Sequence, residues 1–353
     1  MLLSVADIEA EAKRVLSDRA WAYYSSAGDD CLTKERNGSA YQQVLLRPRV
    51  LRDISHVDTN CTILGHRSSL PIFISPAAQA RLGNPAGEAG LSKAAEHNGV
   101  IQCVSHNASQ SLEVIAEARE SASYPIFYQL YANIDEHRTI ERLRQVAEAG
   151  YSSLWLTVDA PIGGKREADE RMTRAGPSTG KRMFGGTSPS LTWKTIAFIR
   201  KQTKTPVVLK GVQTVEDVLL CAKYNLDGVC ISNHGGRQLD TSPPPLHILY
   251  MLRRFHPWVF DRMQVFVDGG ITRGTDVLKA LCLGATAVGL GRAFLFALGI
   301  GGEEGVSRLV QIMREEIETG MRLLGVNSLA QLGPEYLNCR PLTRQLDYAE
   351  AKL

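Results

Sequence analysis

From residue 71 to about residue 325 the chain repeats one pattern eight times: a short apolar run, then a stretch with helical character. The runs fall at 71–76, 99–104, 126–130, 153–158, 206–210, 228–231, 264–268 and 285–290. They are rich in Val, Ile, Leu and Phe and are bounded by Gly, Pro, Ser or Asp, as buried strands are. The helical stretches fall at 87–97, 111–120, 135–149, 192–201, 215–224, 246–254, 275–283 and 293–324. Seven follow their strand directly, and the fourth follows a loop, 159–189, rich in Gly, Arg and Lys. A helix between successive strands returns the chain to the same edge, so the strands run parallel. Eight such units close on themselves. The expected class is therefore α/β, and the expected fold a (β/α)8 TIM barrel of the usual size, roughly 250 residues.

The rest of the chain reads as additions to that barrel. Residues 4–27 form a helical region, with Ser4 and Asp7 placed as an N-cap and Ile8, Ala12, Val15 and Leu16 at helical spacing. Residues 44–64 have no clear period and read as irregular or β. No low-complexity linker interrupts the chain. A single domain over residues 1–353 is expected, with an N-terminal helical cap (1–70), the barrel (71–325) and a C-terminal tail (326–353). A formal charge of +3 from 40 basic and 37 acidic residues, with no basic block, argues against a nucleic-acid partner. No apolar run approaches the roughly 20 residues of a membrane span. Asp7, Glu9, Glu11 and Lys13 in the first helix exclude a signal peptide. The seven cysteines are odd in number and scattered, with no CxxC, and Cys103 and Cys230 fall in strand-like runs. Thiols as core filler in a reducing compartment are expected, with no metal site.

A barrel places its chemistry at the C-terminal ends of its strands. Strand one ends in Pro76, Ala77 and Ala78, small enough for a flat ring to approach the backbone. Ser105, Gln129 with Tyr131, and Thr157 with Asp159 follow on strands two to four, and Arg166 lies in the loop beyond. Strand five ends in Lys210, and strand six runs into Ser232-Asn-His234-Gly-Gly-Arg237, a possible base and a permanent cation three residues apart. Strands seven and eight end in Asp268-Gly269-Gly270 and Gly289-Leu-Gly291-Arg292. Glycine-rich turns opening onto helices after strands seven and eight are where barrels bind phosphate, and Arg292 adds a bidentate donor. Ser105, Gln129 and Thr157 are neutral hydrogen-bonding groups suited to a flavin edge. Lys210 would set a positive charge beside it; a Schiff-base nucleophile or a carboxylate partner are the alternatives. Two arginines imply a carboxylate ligand. His234 can take a proton with Asp159 orienting it, although an Asp159–Arg166 ion pair is an equal alternative. One of the adjacent Tyr23 and Tyr24 can face a ligand, since both cannot face one core; packing on the barrel mouth is the other possibility.

Taken together, Ser232-Asn-His-Gly-Gly-Arg-Gln-Leu-Asp240 resembles the active-site signature of the FMN-dependent α-hydroxy acid oxidases and dehydrogenases, the glycolate oxidase and lactate oxidase family. The resemblance spans nearly the whole chain. It includes Tyr23-Tyr24, Arg47-Pro-Arg49, Gln129-Leu-Tyr131, Leu156-Thr-Val-Asp-Ala-Pro161, Lys165-Arg-Glu-Ala-Asp169, Leu209-Lys-Gly211, Asp268-Gly-Gly270 with Arg273-Gly-Thr-Asp276, and Gly291-Arg292. It implies that Tyr23, Arg166 and Arg237 bind the substrate carboxylate and Tyr131 its hydroxyl, with His234 as base and Asp159 as its partner. It implies an FMN site. Pro76, Ala77, Ala78, Ser105, Gln129, Thr157, Lys210 and Ser232 would hold the ring and ribityl chain. Asp268, Gly269, Gly270, Ile271, Thr272, Gly291 and Arg292 would hold the ribityl and phosphate end. It also implies a homotetramer.

The chain departs from plant glycolate oxidases in three places. Asn107, preceded by His106, stands where they have a tryptophan, which opens the pocket and adds polarity. Thr272 replaces an arginine used for phosphate, so Arg292 and backbone donors would carry more of that load. The loop at 171–190 is shorter, which implies a more open lid. No haem-binding segment precedes the barrel in this sequence, which favours an oxidase over a cytochrome-coupled enzyme. The expected function is oxidation of a small L-2-hydroxy acid to the 2-oxo acid, with O2 as acceptor and H2O2 as product. The alternatives are a larger aromatic or biosynthetic hydroxy acid, a non-O2 acceptor, and a non-catalytic FMN-binding scaffold. The C-terminal Ala351-Lys352-Leu353 resembles a peroxisomal address, so a peroxisome, otherwise the cytoplasm, is the expected location.

Overall fold

The computed structural model describes residues 1–173, 188–343 and 346. Its centre is a closed barrel of eight parallel strands. In chain order these are β1 (Ile72–Ile74), β2 (Ile101–Val104), β3 (Ile126–Leu130), β4 (Ser153–Thr157), β5 (Val207–Val212), β6 (Gly228–Ile231), β7 (Gln264–Asp268) and β8 (Ala287–Leu290). Each strand pairs with its sequence neighbours, and β8 closes on β1 through the register Gly289 to Phe73. The (β/α)8 barrel expected from the alternation is the fold observed.

The two-residue period of a strand explains how the barrel is filled. Phe73, Cys103, Phe127, Trp155, Val208, Cys230 and Phe266 point inward and form one buried cluster. Two residues further along each strand, on the same inward face, stand Ser75, Ser105, Gln129, Thr157, Lys210, Ser232 and Asp268. All seven are buried. The lumen is thus apolar in its middle and polar at the C-terminal end of the strands. The residues between point outward, into the core formed with the surrounding helices.

Residues 1–70 do not make a single helical cap. Helices α1 (Val5–Val15), capped by Ser4 as expected, α2 (Asp18–Ser25) and α3 (Leu32–Gln42) come first. A hairpin (Cys61–Ile63 with His66–Ser68) then closes the other end of the barrel, inserting Ile63 and Leu64 under the inward aromatic layer. Two further elements depart from expectation. α3 was not legible, and part of the supposed loop after β4 is a helix, α4 (Glu167–Thr173). β5 runs past Lys210 to Val212 through a bulge at Gly211, whose φ of 98° only glycine adopts without strain. The long C-terminal helix, α5 (Arg292–Leu324), is broken at Gly301 and Gly302, and α1 packs along it. In the tail, Leu337–Asn338 pairs antiparallel with Leu45–Leu46.

Candidate active site

The polar layer and the turns after the strands enclose one pocket, and the sequence-selected residues gather there. Pro76, Ala77, Ala78, Ser105, Gln129 and Thr157 line it from β1 to β4, and Lys210 from β5. Asp268, Gly269, Gly270, Ile271, Thr272, Gly291 and Arg292 line it from β7 and β8. Tyr23, Tyr131, Arg166, His234 and Arg237 complete it. Asp159 and Ser232 stand directly behind this surface, bonded to lining residues.

His234 lies just beyond β6 with a left-handed φ of 59°. Its backbone N–H donates to Ser232 Oγ at 3.0 Å, which holds the turn against the barrel rim. Nδ1 lies 2.9 Å from Oδ1 of Asp159, whose side chain is wholly buried. A carboxylate only accepts, so Nδ1 carries the proton and Nε2 presents its lone pair. Tyr131 Oη sits 3.5 Å from that Nε2. Burial would raise the Asp159 pKa, but His234, with Lys210 behind it, holds it below the ordinary carboxylate value. Asp159 therefore pairs with His234, while Arg166 has a carboxylate of the helix that follows it, Asp169, at 3.7 Å. The Asp159–Arg166 pair weighed from the sequence is not the arrangement found.

Of the two tyrosines, Tyr24 is buried, its hydroxyl donating to Gln79 O at 2.8 Å and accepting from Gly83 N–H at 2.9 Å. Tyr23 faces the pocket and carries both arginines on its ring, Arg237 at 5.2 Å and Arg166 at 5.7 Å from the centroid. Burial, then the charge of Arg166, lowers the Arg237 pKa to about 9, which still leaves it charged at neutral pH. Two neighbouring, partly desolvated guanidinium groups are the surroundings a carboxylate would relieve.

The polar layer suits a flavin. Among the described residues, Gln129 Nε2, Thr157 Oγ1 and Asp268 Oδ1 are buried without a hydrogen-bond partner, and all three residues line the pocket. Buried polar atoms are normally satisfied, so this set calls for a bound group that offers both hydrogen-bond donors and acceptors, as a flavin does. Gln129 is aimed by its other end, since its Oε1 accepts from His106 N–H at 3.0 Å. Lys210 takes the carboxylate-partner role weighed from the sequence, 3.0 Å from Asp268 Oδ2, and also donates to Ser232 Oγ at 3.0 Å. Burial opposes its charge, yet Asp268 foremost raises its pKa above the ordinary lysine value. It remains a fixed cation in the pocket wall. Glycine at 289 is required because a side chain there would strike Ser75 and Phe73.

Two expectations shift. Arg292 is not simply a free donor to phosphate: Nε donates to Tyr24 O at 3.1 Å, and Nη2 donates to Gly235 O at 2.8 Å and Ser26 O at 3.2 Å. Asn107 does line the pocket, but His106 packs on Tyr128 and Tyr131, with Nδ1 3.1 Å from Tyr128 Oη. Burial lowers the His106 pKa to about 4, so it is neutral there at pH 7. The shortened loop falls mostly in 174–187, outside the described residues.

Sequence reasoning missed the groups that hold the signature turn. Asn233 and Asn37 exchange reciprocal amide hydrogen bonds at 2.8 and 2.7 Å. Asp240 accepts from the N–H groups of Leu32 and Thr33, capping α3 from across the site. Gln238 bonds the backbone of Asp159, Ile162 and Gly164. The signal for all three was their place inside the 232–240 signature, but their partners lie far away in sequence. Lys34, which also lines the pocket, carried no signal.

The chain matches the family model described as FMN-dependent dehydrogenase over residues 12–339. It is 42% identical to L-lactate dehydrogenase (cytochrome) of Wickerhamomyces anomalus, covering 97% of this chain and 62% of that protein. The Saccharomyces cerevisiae protein of the same name is also 42% identical, with 61% of it covered. The chain thus spans about three fifths of the length of these two relatives. Glycolate oxidase of Spinacia oleracea is 35% identical, with 95% of each chain covered. Among solved structures, the recombinant flavin-binding domain of baker's yeast flavocytochrome b2 superposes with a TM-score of 0.92 at 40% identity, over 100% of this chain and 93% of that one.

Proposed function

The chain belongs to the FMN-dependent dehydrogenase family, and on that premise we propose that it oxidises a small L-2-hydroxy acid to the 2-oxo acid. The observation that carries this is the joint presence, in one pocket, of the Asp159–His234 pair and of two arginines on Tyr23. Binding FMN alone needs neither, which argues against a non-catalytic scaffold.

FMN, when bound, supplies the acceptor for the two electrons that leave the substrate. The side chains do the rest. Arg237 and Arg166 hold the carboxylate and so orient Cα and its hydroxyl. Tyr131 hydrogen-bonds the hydroxyl beside His234. Nε2 of His234 takes up a substrate proton, and Asp159, ionised throughout, stabilises the resulting imidazolium. Gln129, Thr157, Ser105 and the Pro76 to Ala78 segment, which line the pocket, would hold the ring. Lys210 keeps a positive charge in that wall and would favour a reduced, more negative flavin held there. Asn107 supplies a polar pocket wall, which favours substrates longer or more polar than glycolate.

For the oxidant we take O2, giving H2O2; the Ala351-Lys352-Leu353 end, outside the described residues, goes with peroxisomal disposal of that product. A second oxidant, an electron-carrier protein, is supported by the names of the two relatives at 42% identity. Anaerobic mixing of FMN-loaded protein with 2-hydroxy acids of increasing length should bleach the flavin. His234→Ala should keep the yellow cofactor and bleach at least ~100-fold more slowly; bleaching at the parent rate would refute the role of the base. Readmitted air should yield stoichiometric H2O2, whereas flavin that stays reduced until cytochrome c is added would select the second oxidant.

A further inference from the structure

We propose that Lys34 is a phosphate-binding cation of the cofactor pocket, completing with Arg292 an anion subsite to which Thr272 brings no charge; this rests on the FMN assignment.

Lys34 and Gly38 lie four residues apart on α3, one helical turn, and therefore on one face. Both line the pocket. That face is set against the turn after β7, since a Cβ on Gly38 would lie 3.9 Å from Gly270 O. Lys34 is also locked at its own backbone, because a Cβ on Gly236 would come within 2.6 Å of Lys34 N. Its side chain therefore springs from a fixed point between the signature turn and the glycine turns expected to receive phosphate.

The charge at this end of the pocket is incomplete. Thr272 is neutral, and both its N–H and its Oγ1 donate to Asp276, at 3.1 and 3.4 Å. Arg292 has Nε and Nη2 committed to backbone carbonyls. Lys34 Nζ makes one hydrogen bond, to Ser25 O at 3.0 Å, and an ammonium has three N–H groups to place. Among the described residues, no carboxylate lies within ion-pair distance of Lys34. Glu9, which lines the same pocket, favours the charge of both cations, and Asp268 adds to that of Arg292, without an ion-pair contact to either. Burial, then Arg292, depresses the Lys34 pKa. Two partly buried cations line one end of the pocket, and among the described residues neither has a carboxylate within ion-pair distance, which marks a place for a dianion.

The competing role is structural. The last carbonyls of α2 collect three cations, Arg237 on Tyr23 and Ser26, Arg292 on Tyr24 and Ser26, and Lys34 on Ser25. A lysine that only caps this helix end would matter equally for any flavin.

Binding of FMN and of riboflavin, which lacks the phosphate, separates the two. The full chain, stripped of flavin, is titrated with each by fluorescence. Lys34→Gln should weaken FMN about 10- to 100-fold, the loss of a charge-assisted hydrogen bond, and leave riboflavin unchanged within about twofold. Lys34→Arg should restore FMN binding, and added salt should weaken FMN less in Lys34→Gln than in the parent. Equal loss for both flavins, or no loss for FMN, would overturn the proposal. A parent chain that binds neither flavin would overturn the FMN assignment itself.

Discussion

Asp159 shows how one buried residue organises the chemistry around it. Its side chain is wholly enclosed, Oδ1 faces His234, and Oδ2 has no hydrogen-bond partner among the described residues. His234 foremost, with Lys210 and a backbone hydrogen bond, keeps it ionised against burial. Asp159→Asn keeps the shape and removes the charge, so flavin reduction should slow by roughly 10²- to 10⁴-fold while FMN stays bound. The acid limb of stability should change as well. A carboxylate held below its unfolded value of 3.8 contributes stability that is complete above that value and is lost as pH falls through the lower folded value. Unfolding measured at successive pH values below about 4.5 should show the parent losing stability relative to Asp159→Asn; a constant difference would show that folding does not lower the Asp159 pKa, and a relative gain would show that Asp159 is protonated in the folded protein. His234, Asp159 and Arg237 were legible from their strand-end positions. The His234–Asp159 pair was one of the two arrangements the sequence left open; the choice against an Asp159–Arg166 pair was not legible, because a side chain's hydrogen bonds depend on distances between different strands.

At the scale of elements, the bulge in β5 is what lets Asp159 sit where it does. Gly211 has a φ of 98°, and a Cβ there would lie 2.5 Å from Asp159 Cγ. Gly211→Ala therefore meets both backbone strain of about 1–2 kcal/mol and a clash that displaces Asp159. Flavin reduction should fall by at least ~10-fold along with stability, read by anaerobic stopped-flow and by urea unfolding on the same preparation; an undisturbed rate would show that the carboxylate is not held by this contact. The helix α3 shows why some elements escape a sequence reading. It has a glycine inside it, no apolar stripe, and Cys31 at its N-cap with a left-handed φ of 64°. The cap is Asp240, whose carboxylate takes two of its free N–H groups from 207 and 208 residues away. The eight strand–helix units needed no such distant help, since their hydrophobic period and their turn residues are local.

The whole molecule divides its work along the barrel axis. The polar end of the lumen carries the pocket, and the opposite end is closed by the Cys61–Ser68 hairpin, where Ile63 is fully buried among the inward aromatics. Ile63→Ala opens a cavity there and should cost about 2–5 kcal/mol in urea unfolding. Turnover per bound flavin should stay within about twofold of the parent, because the aromatic layer separates the hairpin from the pocket. A parallel loss of turnover in fully folded protein would show that the two ends are coupled.

Local periodicity sufficed for the barrel, the order of its strands, and the list of strand-end residues, because alternation of apolar runs and helices is written in nearest neighbours. It also contained the polar layer, since each member stands two places after an inward apolar residue and a strand repeats every two residues. The tertiary structure alone decided which cation meets which anion. It put both arginines on the Tyr23 ring and the Tyr24 hydroxyl on Gln79 O, chose His234 over Arg166 for Asp159, set Lys210 on Asp268, and brought Lys34 in from an unrecognised helix. Each of these depends on the distance between segments far apart in the chain, and electrostatic pairing is set by that distance and by burial, neither of which a local pattern encodes.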